Sequence, residues 1–133
     1  MTIDKAEILR VFAHDYLAQL LGIEIVDVDY GIARVRGIVT KQMLNALGKT
    51  HGAALFAIAD FALAVASNSY GEPAVSTNVS INYLKSSTLG TVIEATATEE
   101  NRSRKMGLYR IEICDDKAHK LALAHGEVYL LGK

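Results

Sequence analysis

The sequence predicts an α+β domain in which an antiparallel sheet wraps one long apolar helix, and three observations lead to this prediction. The first is a mostly apolar stretch of helical length, from about residue 51 to residue 69. The second is a strand-like pair before it, between residues 23 and 39. The third is the run of strand-like segments that follows it, near residues 75–83, 91–100, 106–115 and 120–131. Such a helix buries its apolar surface by packing against the sheet.

Length and composition limit the possible classes of protein. The chain has 133 residues, half of them apolar, which suits a single domain over residues 1–133. Its formal net charge of −1 argues against a domain that binds nucleic acid through phosphates. The N-terminal segment contains acidic residues and no long apolar run, so it does not resemble a signal peptide. The single Cys114 cannot form an internal disulfide, and we therefore expect a cytoplasmic protein. We read Cys114 as a small buried apolar residue.

The N-terminal third is predicted to contain a helix and a strand pair. Asp4 followed by Glu7 resembles a capping box, and apolar residues recur at helical spacing up to Gly22, which predicts a helix over residues 4–21. From Ile23 the apolar period changes to two, and Tyr30-Gly31 can form the turn between two antiparallel strands.

The central helix and the strand after it follow from two different periodicities. The helix is predicted from about residue 51 to residue 69, because Gly71-Glu72-Pro73 cannot continue it. Beyond the proline, every second residue is suited to a strand face while the residues between are polar, which predicts one uninterrupted strand. The alternating residues are Val75, Thr77, Val79, Ile81 and Tyr83.

Asp60 is the most informative residue, because it is an acid within an otherwise apolar helix. The helix is apolar on nearly every side, so we expect protein to surround it. An unpaired buried carboxylate is disfavoured by several kcal/mol, on the order of the desolvation penalty of one ion. Asp60 is therefore either a reactive group or a residue that hydrogen bonds hold for rigidity. The same charge, in an apolar stretch of only 14 residues (53–66), argues against a membrane span.

The start of the helix is the second candidate feature. Free backbone amides at a helix N-terminus favour negative charge, and Gly52 would let a ligand approach them closely or would merely allow tight packing. A reactive carbonyl bound there would have its developing oxyanion stabilised. Eight helical residues separate Gly52 from Asp60, about 12 Å, so one helix cannot place both at one carbonyl. Two helices related by a two-fold axis could, which predicts a dimer with shared sites.

The segment MLNALGKTHGAALFAIADFALAVASNSYG, followed by AVSTNVSINYLKSSTLG and by the strand GLYRIEI, resembles the phenylacetyl-CoA thioesterase family of hot-dog proteins. The shared signature is an asparagine, then His-Gly, then an aspartate eight residues after the glycine. The resemblance covers essentially the whole chain and implies an acyl-CoA thioesterase with the hot-dog fold. It also implies a homodimer as the minimal active unit, which pairs into a homotetramer, with acyl-CoA bound between subunits and no cofactor.

The resemblance implies a role for each residue of the signature. Asp60 would be the nucleophile or the general base for water, and Gly52 would polarise the carbonyl. Asn45 would lie near the same carbonyl or water, contributed by the other subunit. His51 would shape the loop rather than transfer protons. Ser76 matches a hydroxyl that orients the carboxylate or water in some relatives, whereas Ala53 replaces a second glycine found in many of them.

Basic and aromatic residues supply candidate contacts for the two ends of an acyl-CoA. Lys85, Arg102, Arg104 and Lys105 lie in or beside loops and could bind the CoA phosphates. The aromatic residues Phe56, Phe61, Tyr70 and Tyr83 could line an acyl pocket, but they could equally be core.

Two alternatives to hydrolysis stay open at this point. A hot-dog dehydratase would need a positioned histidine, and no His-Asp pairing of that kind is evident. A non-catalytic acyl-CoA-binding module would not need Asp60 to be ionised. No spacing typical of a metal site or of a dinucleotide-binding motif occurs, so we expect neither a metal nor a cofactor.

Overall fold

The computed structural model describes residues 4–132, which form three α-helices and a six-stranded sheet. The helices are α1 (Lys5–Phe12), α2 (Tyr16–Leu21) and α3 (Gly52–Ser67), with a short 3-10 turn at Lys41–Met43 before α3. The strands are β1 (Glu24–Asp29), β2 (Ile32–Ile38), β3 (Ala74–Tyr83), β4 (Val92–Arg102), β5 (Met106–Asp115) and β6 (Lys120–Leu130). None of the helices within residues 4–132 has both the length and the apolar character needed to cross a bilayer.

The N-terminal helix predicted over residues 4–21 is wrong as a single element, because the chain breaks it into α1 and α2. The break falls at Asp15, whose side chain accepts a 3.1 Å hydrogen bond from the Ala18 amide and so caps α2 independently. The predicted cap of α1 is present, since the Asp4 carboxylate accepts from the Glu7 amide at 3.0 Å. The break turns α2 toward α3 and so matters for the site.

All neighbouring strands are antiparallel, in the order β1-β2-β4-β5-β6-β3, and α3 packs across one face of the sheet. The core consists of the apolar residues that face α3 from the middle strands, together with the sheet-facing side of α3. Val35, Ile93, Ala95, Ile111 and Ala124 are completely buried in it. Cys114 belongs to the opposite face and is only half-buried, so the prediction of a buried residue is wrong.

Strand β3 is interrupted by a β-bulge that the alternating sequence does not reveal. Its pairing with β6 shifts between Ser76 and Asn78, so that Ser76 lies opposite the buried Val128 while Val75 lies opposite Tyr129. Side chains of paired residues share a face, so Ser76 lies on the α3 side and Val75, 49% exposed, lies outside. The prediction that the alternating residues from Val75 to Tyr83 share one face is therefore wrong for the residues before the bulge.

Candidate active site

Asp60 lies on a stripe of α3 that its own chain leaves uncovered. The residues of this stripe recur at intervals of three or four, and none of them is fully buried. They are Ala53, Phe56, Ala57, Asp60 and Ala64. Its own chain therefore does not surround the helix along this line, and the prediction that protein surrounds it needs a second chain. Asp60 is half-buried there, at the boundary between the apolar helix and solvent.

A cleft of about 240 Å³ opens beside the Asp60 carboxylate. Its walls are apolar residues of α3, among them Phe56 and Phe61, and the first turn of α2 with Leu17. Burial raises the pKa of Asp60 above the ordinary value, and the charge of Asp15 in the same cleft raises it further. A carboxylate with a raised pKa in an apolar cleft is suited to accept a proton or to attack an activated carbonyl.

The N-terminus of α3 is shaped by His51. Its Nδ1 accepts a 3.0 Å hydrogen bond from the Ala53 amide, and its carbonyl accepts from the amides of Ala54 and Leu55. Within residues 4–132 the Gly52 amide has no hydrogen-bond acceptor. This amide can therefore donate to a ligand oxygen placed at the positive end of the helix.

Tyr83 covers the other side of Gly52. Its hydroxyl donates to the Gly52 carbonyl oxygen at 3.0 Å, and a Cβ at position 52 would lie 3.0 Å from the ring. Two residues before Gly52, Thr50 is fixed to the chain after β3 by two hydrogen bonds with Ser87, of 2.7 Å between hydroxyls and 2.9 Å between backbones. These contacts hold the start of α3 against the end of β3, and sequence periodicity contains no indication of them.

Asn45 organises the loop that leads into α3. Its side-chain oxygen accepts from the amides of Leu47 and Lys49, at 2.9 and 3.1 Å. The half-buried side chain is thereby fixed, and its NH₂ group has no acceptor within residues 4–132. Asn45 can therefore present a hydrogen-bond donor from an ordered loop.

Asp60 and the start of α3 are not brought together within one chain. Helix α3 runs unbroken over both positions, so the rise of the helix keeps Gly52 about 12 Å from Asp60. Ser76 lies on the α3 side of the sheet, but it makes no hydrogen bond to Asp60 among the described residues. The candidate residues of one chain therefore form two separate groups, one around Gly52 and one around Asp60.

The four basic candidates differ in their surroundings. Arg102 lies at the end of β4 rather than in a loop, and its side chain is only 19% exposed. Its guanidinium is 3.1 Å from Glu72 and lies 3.9 Å above the Tyr70 ring, so its charge is already paired. Lys85, Arg104 and Lys105 are exposed.

The aromatic candidates separate in the same way. Phe56 and Phe61 line the cleft beside Asp60, as an acyl pocket requires. Tyr70 lies elsewhere, because its hydroxyl donates to Glu99 at 3.0 Å and its ring stacks on Tyr30. Among residues 4–132 no group of three or more His, Cys, Asp or Glu side chains is arranged to hold a metal ion.

Three features define the class of protein: a helix packed against an antiparallel sheet, a glycine at the N-terminus of this helix, and an acid on its uncovered stripe. The chain matches the Thioesterase superfamily over residues 47–122 and belongs to that family. This confirms the predicted hot-dog fold and the resemblance from which it came. The matched segment contains Gly52, Asp60 and Ser76, whereas Asn45 precedes it.

Particular relatives are similar over most of the chain. The acyl-coenzyme A thioesterase PaaI of Escherichia coli K12 is 37% identical over 92% of this chain and 87% of its own length. The structure of the E. coli PaaI protein superposes with a TM-score of 0.90 at 36% identity, covering 92% of this chain and 89% of that one. A Streptococcus mutans protein bound to acetyl CoA superposes with a TM-score of 0.80 at 27% identity, over 84% of this chain and 90% of that one.

Proposed function

We propose that this protein is an acyl-CoA thioesterase, which cleaves the thioester to a free acid and CoA. The observation that carries the proposal is Asp60, a carboxylate of raised pKa in an apolar cleft, on the uncovered stripe of a hot-dog helix. The similarity to the acyl-coenzyme A thioesterase PaaI supports CoA as the thiol, as does the similar fold that binds acetyl CoA.

The chemistry requires a nucleophile, an oxyanion site and a leaving thiolate. If Asp60 acts as the base, it takes a proton from water as the water oxygen attacks the thioester carbon. If it acts as the nucleophile, its oxygen forms an acyl anhydride that water then hydrolyses. In both routes the carbon–sulfur bond breaks and CoA leaves as the thiolate. The Gly52 amide stabilises the carbonyl oxygen as it becomes negative, which is worth about 3 kcal/mol in comparable sites.

Two chains are needed to assemble this site. The Gly52 amide and Asp60 are about 12 Å apart along one helix, so each must meet its counterpart on a second copy. The uncovered stripe of α3 is the surface across which the two helices would approach each other. We therefore propose a homodimer as the minimal active unit, with Asp60 of one protomer facing Gly52 and Asn45 of its partner, and two dimers in a tetramer.

A thiol-release assay tests the proposed reaction. Purified protein is mixed with a panel of acyl-CoAs, among them phenylacetyl-CoA and hexanoyl-CoA, and free CoA thiol is measured. Asp60→Asn should lower the rate by a factor of about a thousand or more, since it removes both base and nucleophile. Asp116→Asn, a charge change at an exposed turn residue, should leave it unchanged. Tight binding of acyl-CoA without thiol release would instead indicate a binding module.

Mixed dimers test the sharing of sites between subunits. Asp60→Asn and Asn45→Ala chains are each expected to be inactive alone. Mixing them should restore activity, because one of the two sites in a hybrid dimer then combines an intact Asp60 with an intact Asn45. No recovery in dimers whose mixed composition is verified by mass spectrometry would overturn the shared site. An active monomer in sedimentation would overturn it as well.

The same proposal fixes two further expectations. The dehydratase alternative loses support, because no histidine is among the described residues that line the cleft beside Asp60. We also propose that the enzyme acts in the cytoplasm, where acyl-CoAs are formed, and cell fractionation followed by immunoblotting tests this location. Recovery in a membrane or extracellular fraction would contradict it.

A further inference from the structure

Asp15 is a second carboxylate in the cleft beside Asp60, and the thioesterase reaction assigns it no role. One of its oxygens accepts from the Ala18 amide and caps α2. Among residues 4–132 no basic side chain lies within 4.0 Å of Asp15, so no cation neutralises its charge. The other lining residues of this cleft, apart from Asp60, are apolar.

A second cavity of about 230 Å³ adjoins the cleft, between α1, α2 and β1. The two cavities share four lining residues, which are Asp15, Ala18, Ile23 and Phe61. The second cavity ends at Leu9 and Phe12, whose ring packs edge-on against Phe61 with 5.9 Å between centroids. An acyl chain whose carbonyl lies at Asp60 can therefore extend past Asp15 along walls that are mostly apolar, with the exposed side chains of Gln19 and Glu24 at the rim of the second cavity.

We propose that Asp15 is a specificity-determining residue, which excludes acyl groups carrying a carboxylate at their far end and restricts the enzyme to uncharged acyl chains. This inference rests on the proposed thioesterase function. A carboxylate at the end of an acyl chain would lose water when it enters the groove. It would then lie beside the negative charge of Asp15, and two like charges in apolar surroundings repel strongly. An uncharged chain packs against the apolar walls and leaves Asp15 solvated at the groove edge.

Hexanoyl-CoA and adipoyl-CoA are the probes, because they share a six-carbon chain and differ by the terminal carboxylate. Wild type should favour hexanoyl-CoA by about a hundredfold or more in kcat/KM. Asp15→Asn should reduce this preference at least about tenfold, mainly by improving adipoyl-CoA. Asparagine caps helices as well as aspartate does, and Asp15→Ser is a second variant that also retains a cap. Asp4→Asn is the matched control, since it removes the capping charge of α1 outside the groove.

Binding measurements separate this inference from the proposed reaction. In the Asp60→Asn background, calorimetry gives the affinity of each probe without turnover. The role of Asp15 is supported if the Asp60→Asn protein binds hexanoyl-CoA more tightly than adipoyl-CoA, and if this preference decreases on adding Asp15→Asn but not on adding Asp4→Asn. This result counts even if no variant hydrolyses either compound. A preference that is equal with and without Asp15→Asn, or equal affinity of the Asp60→Asn protein for both probes, overturns it. Failure to bind either probe overturns both the inference and the proposed function.

Discussion

The Tyr83 hydroxyl donates a 3.0 Å hydrogen bond to the carbonyl oxygen of Gly52, the first residue of α3. The bond joins the last residue of β3 to the point at which the proposed oxyanion donor lies. The same ring occupies the space that a side chain at position 52 would need. A side chain at position 52 would therefore press on the Tyr83 ring and would also obstruct a ligand at the start of α3.

The first prediction concerns this pair. Gly52→Ala places a methyl group 3.0 Å from the Tyr83 ring, so the ring must shift, and we expect its hydrogen bond to the Gly52 carbonyl to be lost. Tyr83→Phe breaks the same bond without the methyl group, and each change should lower the free energy of unfolding by about 1 kcal/mol. In the Gly52→Ala background, Tyr83→Phe should then have almost no further effect in chemical denaturation. Additive losses would show that the two residues act independently.

The second prediction separates the two possible roles of His51. His51→Ala removes the acceptor for the Ala53 amide and should cost about 1 kcal/mol of stability, whereas His51→Asn retains a cap. We expect His51→Asn to keep its thioesterase rate within about fivefold of wild type, because capping does not need an imidazole. A loss of a hundredfold or more in a stably folded His51→Asn protein would indicate proton transfer by His51.

The third prediction is the pH dependence of hydrolysis. Burial and the nearby charge of Asp15 raise the pKa of Asp60, and this carboxylate must be ionised to act. The rate should therefore fall on the acid side at a higher pH than an ordinary aspartate would give. Among the described residues Asp15 is the other titratable group lining this cleft, so Asp15→Asn should move the acid limb to lower pH. The limb should not return fully to the ordinary value, since burial is the larger cause.

The fourth prediction is that Asp60 lowers stability while it serves the reaction. Because its pKa is raised by folding, the folded chain binds the proton more tightly than the unfolded chain does. Ionised Asp60 therefore opposes folding at neutral pH, and this effect disappears as the pH falls through the raised pKa toward the ordinary value. Asp60→Asn should therefore raise the free energy of unfolding at pH 7 above that of wild type. A gain that persists unchanged at pH 3 would contradict the assignment.

The fifth prediction distinguishes Arg102 from the exposed basic residues. Arg102→Ala leaves Glu72 without its partner and removes the cation above Tyr70, so it should destabilise the fold by about 2 kcal/mol. Arg104→Ala and Lys105→Ala should leave stability unchanged and raise KM for acyl-CoA, if these exposed groups bind the CoA phosphates. Thermal unfolding and steady-state kinetics on the same preparations measure both effects.

Sequence periodicity was sufficient for most of the fold, because its signals are local. The apolar run that ends before Pro73 located α3 to within two residues, and Tyr30-Gly31 forms the turn between β1 and β2 as predicted. The expected strands correspond to β3, β4, β5 and β6. An acid in an apolar helix was likewise visible from its neighbours alone, and that singled out Asp60.

Only the tertiary structure decided which faces these elements present. Asp15 could be read from the sequence as an interior residue of one helix, but the break between α1 and α2 places it beside Asp60. Arg102 resembled a loop cation until its pairing with Glu72 was seen. The bulge that brings Ser76 to the α3 side depends on pairing with β6, a partner more than forty residues away. Such contacts depend on long-range packing, which local periodicity does not encode.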